Sequence, residues 1–410
     1  MSGTVAHAER RIERRTRAFR ETNLAMFAAG FSTFALLYCV QPLMPVFTAE
    51  FGVSPAASSL IISLTTAALS VAVVIAGSLS ESFGRKRVMV LSLAASAALT
   101  LFGAAATSFP QLLILRLLMG VALSGVPSVA LAYLGEEIDA RSIGLSIGLF
   151  IGGSAFGGMS GRFLCAALTD LDGWRLGLGA VGAEGMLCAA IFWAALPESR
   201  HFTARPLRLG QSLSSLRGSF ADRGLPWLYA SGFLIMGSFV TVYNYIGFRL
   251  RAPPYGFSQT EIGGLFSVYL VGMVASTVTG SLADRFGRRK MLWATIAVLL
   301  VGVELTRADQ AAAIILGVAV VTVGFFGAHA ICSSWVTRRA LTARAEATSL
   351  YLFFYYMGSS VVGSLGGMVY QESGWGGVAN LLTVLQVIAL AIALRLSFLQ
   401  PLGTMMGERR

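Results

Sequence analysis

Charge is scarce in this chain. Asp, Glu, Lys and Arg make up 12% of its 410 residues, about half the roughly 25% of a soluble domain. So little charge cannot coat the two or three soluble domains that the length would otherwise imply. With 55% apolar residues, intrinsic disorder is excluded as well. Lysine is rarer still. The only two, Lys86 and Lys290, each follow an arginine, so no Gly-Lys-Ser/Thr phosphate loop exists and an ATP-driven pump is excluded. Three scattered histidines, with no His-Glu-x-x-His, leave a zinc protease unsupported. The four cysteines (Cys39, Cys165, Cys188, Cys332) lie in apolar stretches without a CxxC pair. They read as small buried hydrophobes, so we expect neither disulfides nor a metal site, and no cofactor.

What the chain has is long apolar runs. Twelve are legible, near 23–45, 59–80, 88–107, 112–134, 142–164, 175–196, 226–248, 260–282, 290–306, 311–334, 346–369 and 376–398. Most reach the roughly 20 residues that a helix needs to cross a bilayer. They are continuously apolar, with none of the ten-residue alternation of barrel strands, so helices are expected. The first run follows 22 hydrophilic residues and lacks a small-residue cleavage site, unlike a signal peptide. Residues 9–21 carry six arginines, which reads either as a topogenic tail or as a lipid-binding segment.

The net charge of +11 could suggest nucleic acid, but its placement argues otherwise. Of 31 Lys and Arg, 25 lie in or beside connections on one side of the twelve spans. The remaining six are Arg116, Arg162, Arg175, Arg249, Arg251 and Arg307. By the positive-inside rule both termini are cytoplasmic, so no nucleic-acid partner is expected. One connection, 197–225, is far longer than the others and rich in Pro, Ser, Gly and Arg. The expected organisation is a tail (1–22), a six-helix bundle (23–196), a linker (197–225), a second six-helix bundle (226–398) and a tail (399–410).

The halves repeat. Gly77-Ser-Leu-Ser-Glu81-Ser-Phe-Gly84-Arg85-Lys-Arg follows the second span, and Gly280-Ser-Leu-Ala-Asp284-Arg285-Phe-Gly287-Arg288-Arg-Lys follows the eighth. The offset is 203 for Gly77 and Gly280, for Gly84 and Gly287, and for Arg141 and Arg344. Two Gly-Trp pairs, at 173 and 374, follow at 201. Parallel six-span repeats are a transporter architecture with the site between the halves. In these loops glycine permits tight turns and close helix approach, and the acid can meet a helix N-terminus or the clustered arginines.

The paired loops resemble motif A of the major facilitator superfamily. The resemblance covers about residues 23–398. It implies an all-α membrane fold of twelve helices in two six-helix pseudo-repeats, with residues Gly77, Glu81, Gly84, Arg85, Gly280, Asp284, Arg285, Gly287 and Arg288 forming a conformational latch. Ser82 and Glu81 depart from the usual Arg and Asp, which implies a weaker first latch. Arg116-x-x-x-Gly120 is similar to motif B, whose arginine is linked to proton coupling. The alternative for Arg116 is a side chain reaching the outer interface. The fifth span, with Gly144, Gly148, Gly152, Gly153, Gly157, Gly158 and Gly161, resembles the exporters' motif C without its proline. Gly148, Gly152 and Gly157 are expected at a close helix contact. Segments 38–45, 157–162, 196–202 and 349–360 resemble bacterial YnfM-type permeases, a subfamily described as arabinose or drug efflux proteins.

Other polar groups lie within the spans. Glu184 and His329 can change protonation and join Arg116 as coupling candidates. Glu184 could equally be a structural partner of Arg116 or hydrogen-bond a neighbouring helix, and His329 could make an interhelical bond. Gln41, Tyr243, Asn244 and Tyr355 are candidate substrate contacts, though aromatic residues are as easily packing. Arg162, near the outer end of the fifth span, can meet Asp170, Asp172 or lipid headgroups. Two enzyme patterns, Gly177–Gly182 (GxGxxG) and Gly144–Gly148 (GxSxG), lie inside apolar spans rather than strand–turn–helix units and are rejected. The expectation is therefore a monomeric, multi-pass transporter of a bacterial inner membrane that exports a small organic molecule, drug-like or sugar-like, against protons. Proton-coupled uptake of a metabolite and a non-transporting receptor or sensor are the alternatives.

Overall fold

The fold follows from where long apolar helices are forced to stop. The structure, a computed structural model, describes residues 11–202, 218, 220–340 and 344–399. Residues 1–10 of the N-terminal tail, the middle of the linker and nearly all of the C-terminal tail lie outside them. The helices are α1 Arg17–Tyr38, α2 Met44–Phe51, α3 Pro55–Phe83, α4 Arg85–Ala104, α5 Phe109–Leu123, α6 Pro127–Glu137, α7 Ile143–Ala195, α8 Leu225–Arg251, α9 Gln259–Gly264, α10 Tyr269–Phe286, α11 Arg288–Leu305, α12 Ala311–Arg339 and α13 Arg344–Ser397. No strand occurs among the described residues.

Two of these helices are too long to cross a bilayer once. α7 has 53 residues and α13 has 54, roughly 80 Å each if straight. α7 breaks at Asp172 and Gly173 (φ +79°), and α13 at Gly374 (φ +60°). These are the two Gly-Trp sites. Only glycine adopts such φ values cheaply, and the chain turns back there. A Cβ on Gly177 would lie 3.0 Å from the Thr169 hydroxyl, whereas in a straight helix the two residues would be about 12 Å apart. Nine helical segments among the described residues are long and apolar enough to cross a membrane, eleven when both arms of α7 and α13 are counted. α11, which opens on Arg288-Arg289-Lys290, is the twelfth rod, giving six in α1–α7 and six in α8–α13.

The repeat seen in the sequence is also a repeat of backbone geometry. Gly84 (φ +97°, ψ 139°) separates α3 from α4, and Gly287 (φ +89°, ψ 138°) separates α10 from α11. Gly77 and Gly280 do something else: a Cβ on either would meet nothing within 4 Å, so neither is a point of close approach.

Three single crossings are broken. α1 stops at Tyr38 because Pro42 has no N–H to give the Tyr38 carbonyl, and a short 3-10 turn at Gln41–Leu43 leads into α2. α5 and α6 are separated at Ser124–Val126, just before Pro127. α9 passes through a 3-10 turn, Leu265–Val268, into α10.

The glycine stripe of α7 faces α1, but one residue out of the expected phase. Gly153, Gly157 and Gly161 sit against Phe27, Phe31 and Ala35. A Cβ on them would lie 2.5 Å from the Phe27 carbonyl oxygen, 2.5 Å from Phe31 Cα and 2.7 Å from Ala35 Cα. Of the three glycines expected at this contact, only Gly157 is there. Gly148 and Gly152 face open space, because adjacent helical residues point about 100° apart.

Candidate functional site

The site assembles where α1 is interrupted. A helix end leaves carbonyls without partners, and Arg116 of α5 serves them. Its guanidinium donates to the Leu36 carbonyl (2.9 Å), to the Leu37 carbonyl and to the Ile61 carbonyl of α3 (3.3 Å). Arg116 is 2% exposed, and among the described residues no carboxylate lies within 4 Å of it. It does not reach an outer interface. A cation at the negative end of the α1 dipole is also well placed electrostatically.

Just beyond that end, Gln41 links the two halves. Its Nε2 donates to Asn244 Oδ1 of α8 at 2.7 Å, and its Oε1 accepts from Arg162 Nε of α7 at 2.7 Å. Gln41 and Asn244 are each 1% exposed. They are 203 residues apart, the repeat offset, so this bond joins equivalent positions of the two halves.

Arg162 is the residue that sequence reasoning misplaced. It is 2% exposed and meets neither Asp170 nor Asp172. Nη1 donates to the Gly158 carbonyl at 2.5 Å. The guanidinium carbon lies 4.4 Å from the Tyr38 ring centre, 4.7 Å from that of Phe266 and 5.0 Å from that of Tyr269. Two of these rings belong to the second half.

A wall of rings continues into that half. Tyr243 packs on Phe266 (4.8 Å) and Phe239 (5.0 Å), and its hydroxyl meets Thr322 Oγ1 at 2.8 Å. Phe239 stacks on Phe325 at 3.7 Å, and Phe325 on His329 at 5.9 Å. His329 packs on Tyr355 (4.7 Å), and its Nδ1 hydrogen-bonds the Tyr351 hydroxyl at 2.9 Å. Gln41, Tyr243, Asn244, Tyr355 and His329 thus join one network. Glu184 is apart from it. Its carboxylate accepts from Cys188 Sγ one turn along the same helix (2.9 Å), and it does not pair with Arg116.

Contacts seal the halves at the end remote from the linker. Asp170 of α7 accepts from Thr260 N–H (2.7 Å), Thr260 Oγ1 (2.6 Å) and Gln259 N–H (3.3 Å), a carboxylate at the N-terminus of α9. The Gln259 side chain donates to the Pro42 carbonyl. Gly263 and Gly367 let the backbones close up. Their Cβ positions fall 2.6 Å from Ala166 Cβ and 2.7 Å from Ala56 Cα of the opposite half.

The motif A loops lie at the linker end. Arg85 is buried and grips Glu136 through Nη2 (2.7 Å) and Nε (3.3 Å), with Ser80 Oγ on Nη1 and Glu81 at 3.9 Å. Glu136 is a partner that sequence reasoning missed. In the second loop Arg288 pairs with Asp284 of the preceding helix (2.7 Å), Arg338 stands 3.9 Å from Asp284, and Arg285 lies over Phe286. The ion pair of the first loop is the more buried of the two. The position 203 residues after Glu136 is Arg339, a reversed charge that Arg288 cannot pair with. Arg339 instead binds Asp222 of the linker at 2.5 Å. Burial pushes the Asp222 carboxyl up, but bonds from Arg339 and from the N–H groups of Gly224 and Leu225 more than offset this, so it lies below its ordinary value.

Two parallel six-helix repeats with a polar site at their interface define a membrane transporter, not an enzyme. The pattern of the Major Facilitator Superfamily matches residues 26–252 and 250–404, and the chain belongs to that superfamily. It is 46% identical over 92% of its length to the uncharacterized MFS-type transporter YybF of Bacillus subtilis (strain 168), covering 94% of that protein. It is 43% identical over 96% of its length to the inner membrane transport protein YnfM of Escherichia coli (strain K12), again covering 94%. Among solved structures, a point mutant of the nucleoside transporter NupG superposes with a TM-score of 0.75 at 14% identity, over 92% of this chain and 99% of NupG.

Proposed function

We propose that the chain is a proton-coupled exporter of a small organic molecule, drug-like or sugar-like, working as a monomer by alternating access in a bacterial inner membrane. The similarity to the inner membrane protein YnfM supports the location. The asymmetry of Lys and Arg supports a cytoplasmic linker end, so the sealed end is periplasmic. The observation that carries the reading is the bridge Arg162–Gln41–Asn244. It ties two separate bundles together at one level, with a ring-lined wall beside it. Breaking that bridge and the Asp170–Thr260 contact opens the far end, and the motif A loops at the other end take up the motion.

His329 is the residue we assign first to the proton, because it stands among the rings that would face the substrate. A proton and a substrate competing there would give exchange. Glu184 is the second assignment. Arg116 contributes to coupling by holding the end of α1 that carries Gln41. The test is reconstitution in proteoliposomes with an imposed pH gradient and a compound panel. We expect flux that depends on the gradient and loses that dependence in His329→Gln. No gradient-dependent flux for any compound would overturn the coupled reading. Flux that follows protons in the same direction would replace export by uptake.

A further inference from the structure

The buried arginines outside motif A differ in what satisfies them. Arg116 has three carbonyls of its own half, and Arg339 has Asp222. Arg162 has two hydrogen bonds, to Gln41 and Gly158, out of five N–H groups. Its Nη2 donates to no described residue, and no carboxylate among the described residues lies within 4 Å. A buried guanidinium left in this state carries a large desolvation cost. Three ring faces offset only part of it. A two-pronged carboxylate is the partner that a guanidinium takes up most strongly.

Three further observations point to a ligand. Phe266 and Tyr269 belong to the second half, so parting the halves strips them from Arg162 and leaves a cation facing the space between the bundles. Asn244 Nδ2, also buried, has no acceptor, and it is one side chain away through Gln41. The adjoining wall of Tyr243, Phe239, Phe325 and Tyr355 offers flat apolar faces. We infer that the substrate is an organic anion whose carboxylate is held by Arg162, with Asn244 as second donor, and whose aromatic body lies on that wall. A cationic compound is repelled from the same place.

The inference rests on the transport reading, and matched ligands separate the two. The full chain, purified in detergent, is titrated with substituted benzoates and arylacetates, each beside its amide and its amine. Binding is read from ligand-induced stabilisation, and flux is read by counterflow in proteoliposomes. We expect at least one acid to bind about 10- to 100-fold more tightly than its amide. Arg162→Gln is expected to abolish that difference and Arg162→Lys to retain part of it. Amides or amines binding as tightly as the acids, no acid binding at all, or an acid preference that survives in Arg162→Gln would overturn the inference. If Arg162→Gln does not fold, the wild-type comparison of acid, amide and amine still decides. Acids that bind without flux would sink the transport reading alone, and flux confined to neutral compounds would sink this inference alone.

Discussion

Alanine at Gly157 and alanine at Gly152 should have opposite effects on stability. The two positions lie five residues apart on one arm of α7 and are chemically identical. Each substitution gains about 1 kcal/mol of helix preference over glycine. At Gly152 the new methyl meets nothing within 4 Å, so that gain stands. At Gly157 the methyl would lie 2.5 Å from Phe31 Cα. Backbone cannot swing aside as a side-chain tip can, so α1 and α7 must separate, at about 1–3 kcal/mol for overpacking. The propensity gain cancels in the comparison, and the difference between the variants isolates the overpacking. Thermal unfolding of both proteins in one detergent measures it. Gly152→Ala should unfold at or above the wild-type temperature and Gly157→Ala below it. Equal shifts, or a larger loss at Gly152, would refute the assignment of the contact face.

The latches should also be unequal, in the order set by burial. Arg85→Ala leaves Glu136 without its partner and should cost about 1–3 kcal/mol, whereas Arg288→Ala should stay within about 0.5 kcal/mol; chemical unfolding of the two variants checks the order. The linker clamp should respond to acid. The Asp222 carboxyl is held below its ordinary value, so its stabilisation is fully present above the unfolded value of about 3.9. It is lost as pH falls through the lower folded value. Asp222→Asn should therefore be less stable than wild type at neutral pH and should decline less on acidification, read as unfolding temperature against pH.

The architecture was legible because its signals are one-dimensional. Apolar runs of span length and a 203-residue register need no tertiary information, and Gly84 and Gly287 adopt the same backbone geometry that their matching loops implied. The same register maps Gln41 onto Asn244, so the pairing of these two positions was latent in the repeat. What could not be read is helix phase. Gly152 and Gly153 are neighbours in sequence but face different surroundings. Arg162 sits on the same arm, directly after Gly161, and its nearness to the outer end of the span suggested a surface role. The interruption of α1 at Pro42 instead carries Tyr38 and Gln41 to it. Glu136 was hidden for a related reason: it is 51 residues from Arg85, and nothing in the sequence brings α6 beside that loop.

Alternating access requires the far-end seal to open during transport. Asp170 and Thr260 touch across it at 2.6 Å. With the four native cysteines replaced, Asp170→Cys and Thr260→Cys can be oxidised to a cross-link in proteoliposomes. The cross-link should form, stop flux and release it on reduction, while either single variant stays active under oxidation. Undiminished flux through the cross-linked protein would contradict that requirement.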